Sequence, residues 1–322
     1  MRILVTGAGG FVGRSLIPGL VGQRHEVLSA SRSPASFAGA LAVPMPELGP
    51  EADYSRCLEG VDVVIHLAGR AHVVSETPGS DLDRLYFKIN TEGTRALAAQ
   101  ASASGASQFI FLSSCHAVAA AADTLLTEKT EPRPCSAYGR SKLAAEQALK
   151  AELSNTGCAY TILRPPLVYG PGNLANFARL INLVKSGIPL PFASVKNRRS
   201  FLGVRNLTDL LGRCIGNEKA KNRTFFPSDG ADVSTPELMI ALAGAFGFQA
   251  RLFPFPGSLL TAASRLPGMD MLRKLTASLF VDSQPLKNEL GWIPPLTLSQ
   301  GLRQIAGAGN GERQDAPDAC NR

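Results

Sequence analysis

Tyr138 and Lys142 stand four residues apart in Tyr138-Gly139-Arg140-Ser141-Lys142, a spacing that puts both side chains on one face of a helix. An ammonium beside a phenol favours the phenolate. The pair is therefore expected to draw the Tyr138 pKa toward neutrality, so that it can pass a proton to or from a hydroxyl or carbonyl while hydride moves at the adjacent carbon. Upstream, the apolar run Phe109-Ile110-Phe111-Leu112 ends in Ser113-Ser114. Ligands of open α/β sheets bind beyond the carboxyl ends of the strands, so Ser114 is placed to hydrogen-bond the reacting oxygen, whereas Ser113 reads as an ordinary turn former. At the N-terminus, Ile3 to Val5 runs into Thr6-Gly7-Ala8-Gly9-Gly10-Phe11-Val12-Gly13 and then an amphipathic segment. Gly7, Gly10 and Gly13 at a strand-to-helix turn suit a dinucleotide: a tight turn, close backbone approach to a pyrophosphate and close helix packing each exclude a Cβ.

A ribose with a free 2′-hydroxyl usually meets an Asp or Glu at the end of the second strand, and that place reads Ser31-Arg32. A hydroxyl followed by a guanidinium suits a 2′-phosphate, so the sequence points to NADP(H) ahead of NAD(H). Glu47, near the end of the third strand, is the remaining acidic candidate beside the adenine.

These residues need a scaffold that brings strand ends together. Ile3 to Val5, Glu26 to Ala30, Val61 to Leu67, Phe109 to Leu112 and Tyr160 to Leu163 read as buried strands, and Arg84 to Ser104 and Ala137 to Leu153 as the clearest helices. Alternation of this kind predicts an α/β fold, a Rossmann-type doubly wound parallel sheet, over residues 1–168 with a later return of the chain around 200–228. Proline and glycine become denser from about Pro165, and 169–306 reads as a smaller mixed α/β substrate lobe, with 307–322 a disordered tail. The chain of 322 residues, 45% hydrophobic, can bury a large core. No run is long enough to span a membrane and no leader is evident, so a cytoplasmic protein without integral membrane contact is expected. Six dispersed cysteines without a CxxC pair argue against a metal site, and the net charge of +7 is scattered, which fits an anionic small molecule better than nucleic acid.

The glycine triplet, His66-Leu67-Ala68-Gly69, Asn90-Thr91-Glu92-Gly93-Thr94, the serine pair, the Tyr-Lys spacing and Leu163-Arg164-Pro165-Pro166-Leu167-Val168-Tyr169-Gly170-Pro171-Gly172 occur in one order. Together with Asn197-Arg198-Arg199-Ser200-Phe201 and Leu290-Gly291-Trp292, this order resembles the NAD-dependent epimerase/dehydratase family of extended short-chain dehydrogenases/reductases. The resemblance implies an enzyme with Ser114, Tyr138 and Lys142 as catalytic residues. For the cofactor it implies Gly7, Gly10, Phe11, Val12, Gly13, Ser31, Arg32, Glu47 and Leu48, then Leu67, Ala68, Gly69, Asn90 and Pro165, besides Tyr138 and Lys142. For a nucleotide-sugar substrate it implies Arg70, His72, His116, Asn176 and Arg199, with Ser114 and Tyr138 shared.

Family dehydratases carry an Asp-Glu pair where this chain has Cys115-His116, so dehydration is not expected. The resemblance then implies reduction of the 4-keto group of a UDP-4-keto-6-deoxy-N-acetylhexosamine in bacterial surface polysaccharide (lipopolysaccharide O-antigen) synthesis, or 4-epimerisation of a UDP-hexose through a transient ketone. A non-catalytic NADP-binding regulator is the alternative of another class. One departure is that a tyrosine usual a few residues after the serine pair is missing, with Ala119 thereabouts. Family members often pair through two long helices, and the sequence leaves open whether this chain is a homodimer.

Overall fold

The computed structural model describes residues 1–33, 36–70, 80–172, 176–266 and 268–311. The first half runs β1 (Arg2–Thr6), α1 (Phe11–Gly22), β2 (Glu26–Ser31), β3 (Ala40–Pro44), α2 (Ser55–Leu58), β4 (Val63–His66), α3 (Ser80–Tyr86), α4 (Gly93–Ala103), β5 (Gln108–Leu112) and α5 (Ala137–Glu152). It continues with β6 (Ala159–Leu163), β7 (Leu167–Tyr169), α6 (Asn176–Lys185), β8 (Phe201–Gly203), α7 (Val204–Cys214), β9 (Arg223–Phe225), α8 (Thr235–Ala245), α9 (Gly257–Ala263), α10 (Asp270–Thr276), α11 (Gln284–Leu290) and α12 (Leu298–Gly311).

Among the described residues, seven parallel strands form one sheet in the order β3-β2-β1-β4-β5-β6-β9. This is a Rossmann-like α/β fold. Strand order reverses between β1 and β4, where an open sheet leaves a crevice at its carboxyl edge. Both faces are covered, which is why the strands read as continuous apolar runs. Leu4, Val64 and Phe109 point one way, toward Leu97 and Ala101 of α4 and Ala145 and Leu149 of α5. Ile3, Val5, Ile65 and Ile110 point the other way, toward Leu16, Ile17 and Leu20 of α1 and Leu207, Leu210 and Leu211 of α7.

Three sequence expectations are refined. Arg84 to Ser104 is helical as expected, but a π turn, Phe87–Glu92, lies within it between α3 and α4. Its cause is tertiary, because the buried Asn90 and Thr91 side chains are committed to partners on other elements. Besides the return expected around 200–228, the stretch read as the second lobe sends Leu286 and Trp292 back to the first half. β7 and β8 pair outside the main sheet, and α6, α8 and α12 enclose Phe177, Leu180, Met239, Leu242 and Leu302. Yet β9 hydrogen-bonds to β6, and Leu286 and Trp292 pack into the layer around α1 and α7, the indole donating to Asp209 at 2.8 Å. Third, α12 runs through Gly307 to Gly311, so the tail does not begin at 307; residues 312–322 lie outside the described residues.

The carboxyl end of β4 carries a polar residue in the dry core. His66 is fully buried, its Nδ1 2.7 Å from Thr6 Oγ1 and its Nε2 3.0 Å from Thr94 Oγ1. Burial, reinforced by the charge of Lys142, depresses the imidazole pKa to about 3. Between pH 6.5 and about 3 the unfolded chain therefore binds a proton that the folded chain refuses, and stability falls as pH falls through that window. His66 alone is expected to contribute a slope of about 1.4 kcal/mol per pH unit below 6.5. Urea unfolding at pH 7 and pH 5 of the wild type and His66→Gln checks it: the variant should lose less stability between the two pH values, and equal losses would contradict the assignment.

Candidate active site

The turn after β1 is built for close approach. Gly7 has φ +69°, and a Cβ there would lie 2.7 Å from the Ala68 nitrogen in the loop that continues β4; a Cβ on Gly13 would lie 2.5 Å from the Ala8 carbonyl. Gly10 caps α1 without a side-chain bond, its own N–H donating to Gly7 O at 2.9 Å, and the first turn of α1 holds no acidic residue. The N-terminal amides of α1 thus start from a turn that carries no acidic residue, a fit for a dinucleotide pyrophosphate. Phe11 and Val12 open that helix, with the Phe11 ring against Gly170. Leu48 is buried against Gly93 at the start of α4.

The ribose end departs from expectation. Arg32 is not unopposed, because its guanidinium lies 3.6 Å from the Glu47 carboxylate, and both side chains are largely exposed. Ser31 Oγ donates to the Ser33 carbonyl at 2.7 Å. A carboxylate thus stands beside Arg32, contributed by the chain just beyond β3.

Further along the crevice, Asn90 accepts from Arg70 N–H at 2.7 Å, donates to Arg70 O at 3.1 Å, and donates to Ser141 Oγ at 3.0 Å. Thr91 donates to the Ser141 carbonyl at 2.9 Å. The π turn therefore holds the Gly69-Arg70 loop and the first turns of α5 at a fixed separation, a common site for such bulges to serve function. A Cβ on Gly69 would lie 2.9 Å from Asn90 Oδ1.

Ser136 caps α5 by accepting from Gly139 N–H at 3.0 Å. Gly139 lets the loop after β5 close on the helix, since a Cβ there would meet the His116 carbonyl at 2.4 Å. That contact places Tyr138 beside Ser114, whose hydroxyl hydrogen-bonds it, and puts the His116 ring 6.3 Å from the Tyr138 ring. The Cys115 N–H donates to the Pro165 carbonyl at 2.9 Å, fastening this loop to the end of β6. The Cys115 thiol is buried and pushed up to about 12, mainly by desolvation, so it offers no thiolate.

The expected depression of the Tyr138 pKa is not what this geometry gives. Burial pushes the phenol up to about 12, the Ser114 hydrogen bond opposing it, while Lys142 donates to the Leu112 carbonyl at 2.8 Å and sits 4.4 Å above the Phe111 ring. Desolvation lowers the Lys142 ammonium to about 8, with Glu146 pulling it back up.

On the substrate side, Arg199 donates to the Lys274 carbonyl and lies 5.9 Å over Phe201. Its charge reaches Cys115, and burial lowers its pKa. Lys274 is lowered by desolvation first, with Arg199 and Arg179 pressing the same way against Asp270. Three cations thus converge at the edge of the second lobe. Lys274 and Arg179 were missed from sequence, because neither sits in a recognisable motif and only folding brings α6 and α10 to Arg199. Asn176 opens α6, and His72 lies outside the described residues.

Behind Tyr138 and Lys142, Ser113 is more than a turn former. Its hydroxyl donates to Glu146, which also receives Arg164 Nε at 3.0 Å and Nη2 at 2.5 Å.

Comparison with known proteins agrees with this layout. The pattern described as the NAD dependent epimerase/dehydratase family matches residues 3–225. A UDP-glucose 4-epimerase of Vibrio cholerae is 40% identical over 311 residues, 95% of this chain and 94% of that protein. The N-acetyl-alpha-D-glucosaminyl-diphospho-ditrans,octacis-undecaprenol 4-epimerase of Escherichia coli O157:H7 is 24% identical, covering 94% of this chain and 93% of that one. The solved structure of MoeE5 in complex with UDP-glucuronic acid and NAD superposes with a TM-score of 0.78 at 24% identity, over 97% of this chain and 100% of that one. The chain belongs to the NAD-dependent epimerase/dehydratase family.

Proposed function

We infer that this enzyme interconverts the C4 epimers of a UDP-hexose, of glucose or N-acetylglucosamine type, with NAD as resident cofactor. The observation that carries the reading is the position of the Ser114-Cys115-His116 loop, with Tyr138 against one side and the Arg199 charge against the other. A sugar held between them has its diphosphate among cations and its ring beside the phenol. The 40% identical relative is a UDP-glucose 4-epimerase, and it supports the same substrate class.

Gly7, Gly13 and the N-terminal amides of α1 would hold the pyrophosphate of NAD, which when bound would supply a reversible hydride acceptor for C4. Tyr138 takes the proton of the C4 hydroxyl as its phenolate. Burial holds the phenol up to about 12, so ionisation needs a cation beside the oxygen, and Lys142 on the same face of α5 supplies that charge by turning its ammonium from the Leu112 carbonyl toward the phenol. Ser114 donates to the same sugar oxygen and follows the charge that develops on it. Inversion requires the ketone to present its other face, and Arg199 with Lys274 keeps the diphosphate anchored while the ring turns. Tyr138 then returns the proton.

Glu47 favours NAD, since a carboxylate beside Arg32 accepts a 2′-hydroxyl and repels a 2′-phosphate. The second reading, net reduction of a UDP-4-keto-6-deoxy-N-acetylhexosamine by NADPH, rests on Ser31-Arg32 and on the absence of an Asp-Glu pair at Cys115-His116. It requires exchange of spent cofactor, whereas an epimerase regenerates its own.

Two outcomes are expected. Tyr138→Phe removes only the hydroxyl, so turnover should fall by roughly 10²- to 10⁴-fold while UDP affinity, read by calorimetry, stays near wild type; near-wild-type turnover would move the proton to another acid, His116 first. In cofactor titrations the wild type should bind NAD more tightly than NADP, and Glu47→Gln should narrow the gap by weakening NAD and unmasking Arg32. Tighter NADP binding by the wild type would restore the reductase reading.

A further inference from the structure

Large exposed apolar side chains are unevenly spread over this molecule. Of the thirteen among the described residues, six fall on one short stretch: Phe253, Phe255, Leu259, Leu266, Met269 and Met271. This stretch comprises the segment leading into α9, α9 itself and the start of α10, with Leu266 and Met269 between the two helices. Its inner side is accounted for. Leu260 is buried in the core of the second lobe, Leu272 and Leu275 pack against that core, and Ser264 is buried, its carbonyl accepting from Arg273 Nε at 3.3 Å. The backbone is likewise tied down, Phe253 N–H donating to the Leu190 carbonyl at 3.0 Å and Ala193 N–H to the Phe253 carbonyl at 3.2 Å. The outer apolar side is left to solvent on two helices of seven residues each that pack on one another.

The charged residues along that stretch are mostly cationic. Arg251, Arg265 and Arg273 are exposed, and the single acid of the stretch is Asp270, paired with Arg273 at 3.3 Å. Apolar side chains interleaved with arginines fit the headgroup region of an anionic bilayer, where apolar tips enter the acyl boundary and each cation near the surface adds attraction. A second copy of the chain fits poorly, because a two-fold contact on this face would set the arginines against themselves. No helix among the described residues is long and apolar enough to cross a membrane, so contact would be with the surface only.

We propose that the α9–α10 face docks the protein on the surface of an anionic phospholipid membrane. This goes beyond the epimerase reading and does not rest on it.

The test is flotation of the full chain with vesicles of phosphatidylcholine alone or of phosphatidylcholine mixed with phosphatidylglycerol. The wild type should float with the mixed vesicles, and less so as salt is raised or phosphatidylglycerol is left out. Leu259→Asp with Met271→Asp removes two apolar anchors and should weaken partitioning by on the order of 100-fold. Ile240→Asp with Ile293→Asp, which changes exposed apolar residues elsewhere, should bind as wild type. Thermal unfolding of both double variants checks that they fold, and turnover of UDP-glucose, measured in parallel without vesicles, should be the same in all three proteins. Failure of the wild type to float, equal flotation of the Leu259→Asp, Met271→Asp variant, or a dimer in light scattering that this variant abolishes would overturn the proposal. A wild type that floats yet turns over no UDP-hexose would leave the docking face standing and remove the epimerase reading instead.

Discussion

The buried pair of Arg164 and Glu146 fixes where the chemistry can happen. Glu146 lies on α5, one turn beyond Lys142 and two beyond Tyr138, and Arg164 lies at the end of β6. With 1% and 7% of their side chains exposed, the two meet through bidentate contacts, and Ser113 at the end of β5 donates to the same carboxylate. One network therefore clamps the helix that carries Tyr138 and Lys142 onto the strand ends that carry Ser114 and Pro165. A buried pair of this kind adds little net stability over an apolar substitute, but removing one partner leaves an uncompensated charge and costs about 3–5 kcal/mol. Its contribution is orientation, setting the rotation of α5 against the sheet so that positions 138, 142 and 146 all face inward.

That orientation has a cost visible at Lys142. Only 6% exposed, it is held by one carbonyl and one aromatic ring, and its depressed pKa marks the penalty of keeping a cation in a dry site. Tyr138 carries the opposite penalty, since its phenolate is disfavoured by the same dryness. Two titratable groups with such opposed shifts side by side are unfavourable for stability, an exchange that active sites commonly make. His66 nearby is kept neutral by burial, so the β4 end adds no further charge to the crevice.

Much of this was legible in the sequence, and the reasons are specific. Strands buried on both faces appear as uninterrupted runs such as Phe109 to Leu112, glycines at 7 and 13 are demanded by contacts that any Cβ would violate, and α5 announces itself with a serine cap and a long proline-free stretch. What was not legible depends on partners distant in the chain. The π turn exists because Asn90 reaches Arg70 and Ser141. Glu47 neutralises Arg32 only because β2 and β3 are neighbours. Arg179 and Lys274 join Arg199 from helices nearly a hundred residues apart. The Tyr138 pKa rises rather than falls because the four-residue spacing predicts contact with Lys142 but says nothing of the burial that disfavours the phenolate, nor of the Leu112 carbonyl that competes for the ammonium.

A single enzyme that removes hydride from C4 and returns it to the same carbon must conserve the label it carries. Incubation with UDP-glucose deuterated at C4, followed by proton NMR of the sugar, reads this directly. Conversion to UDP-galactose with deuterium kept at C4, without net consumption of NAD or NADPH, is the predicted result. Absence of conversion, together with stoichiometric oxidation of NADPH on addition of a UDP-4-keto sugar, would contradict it.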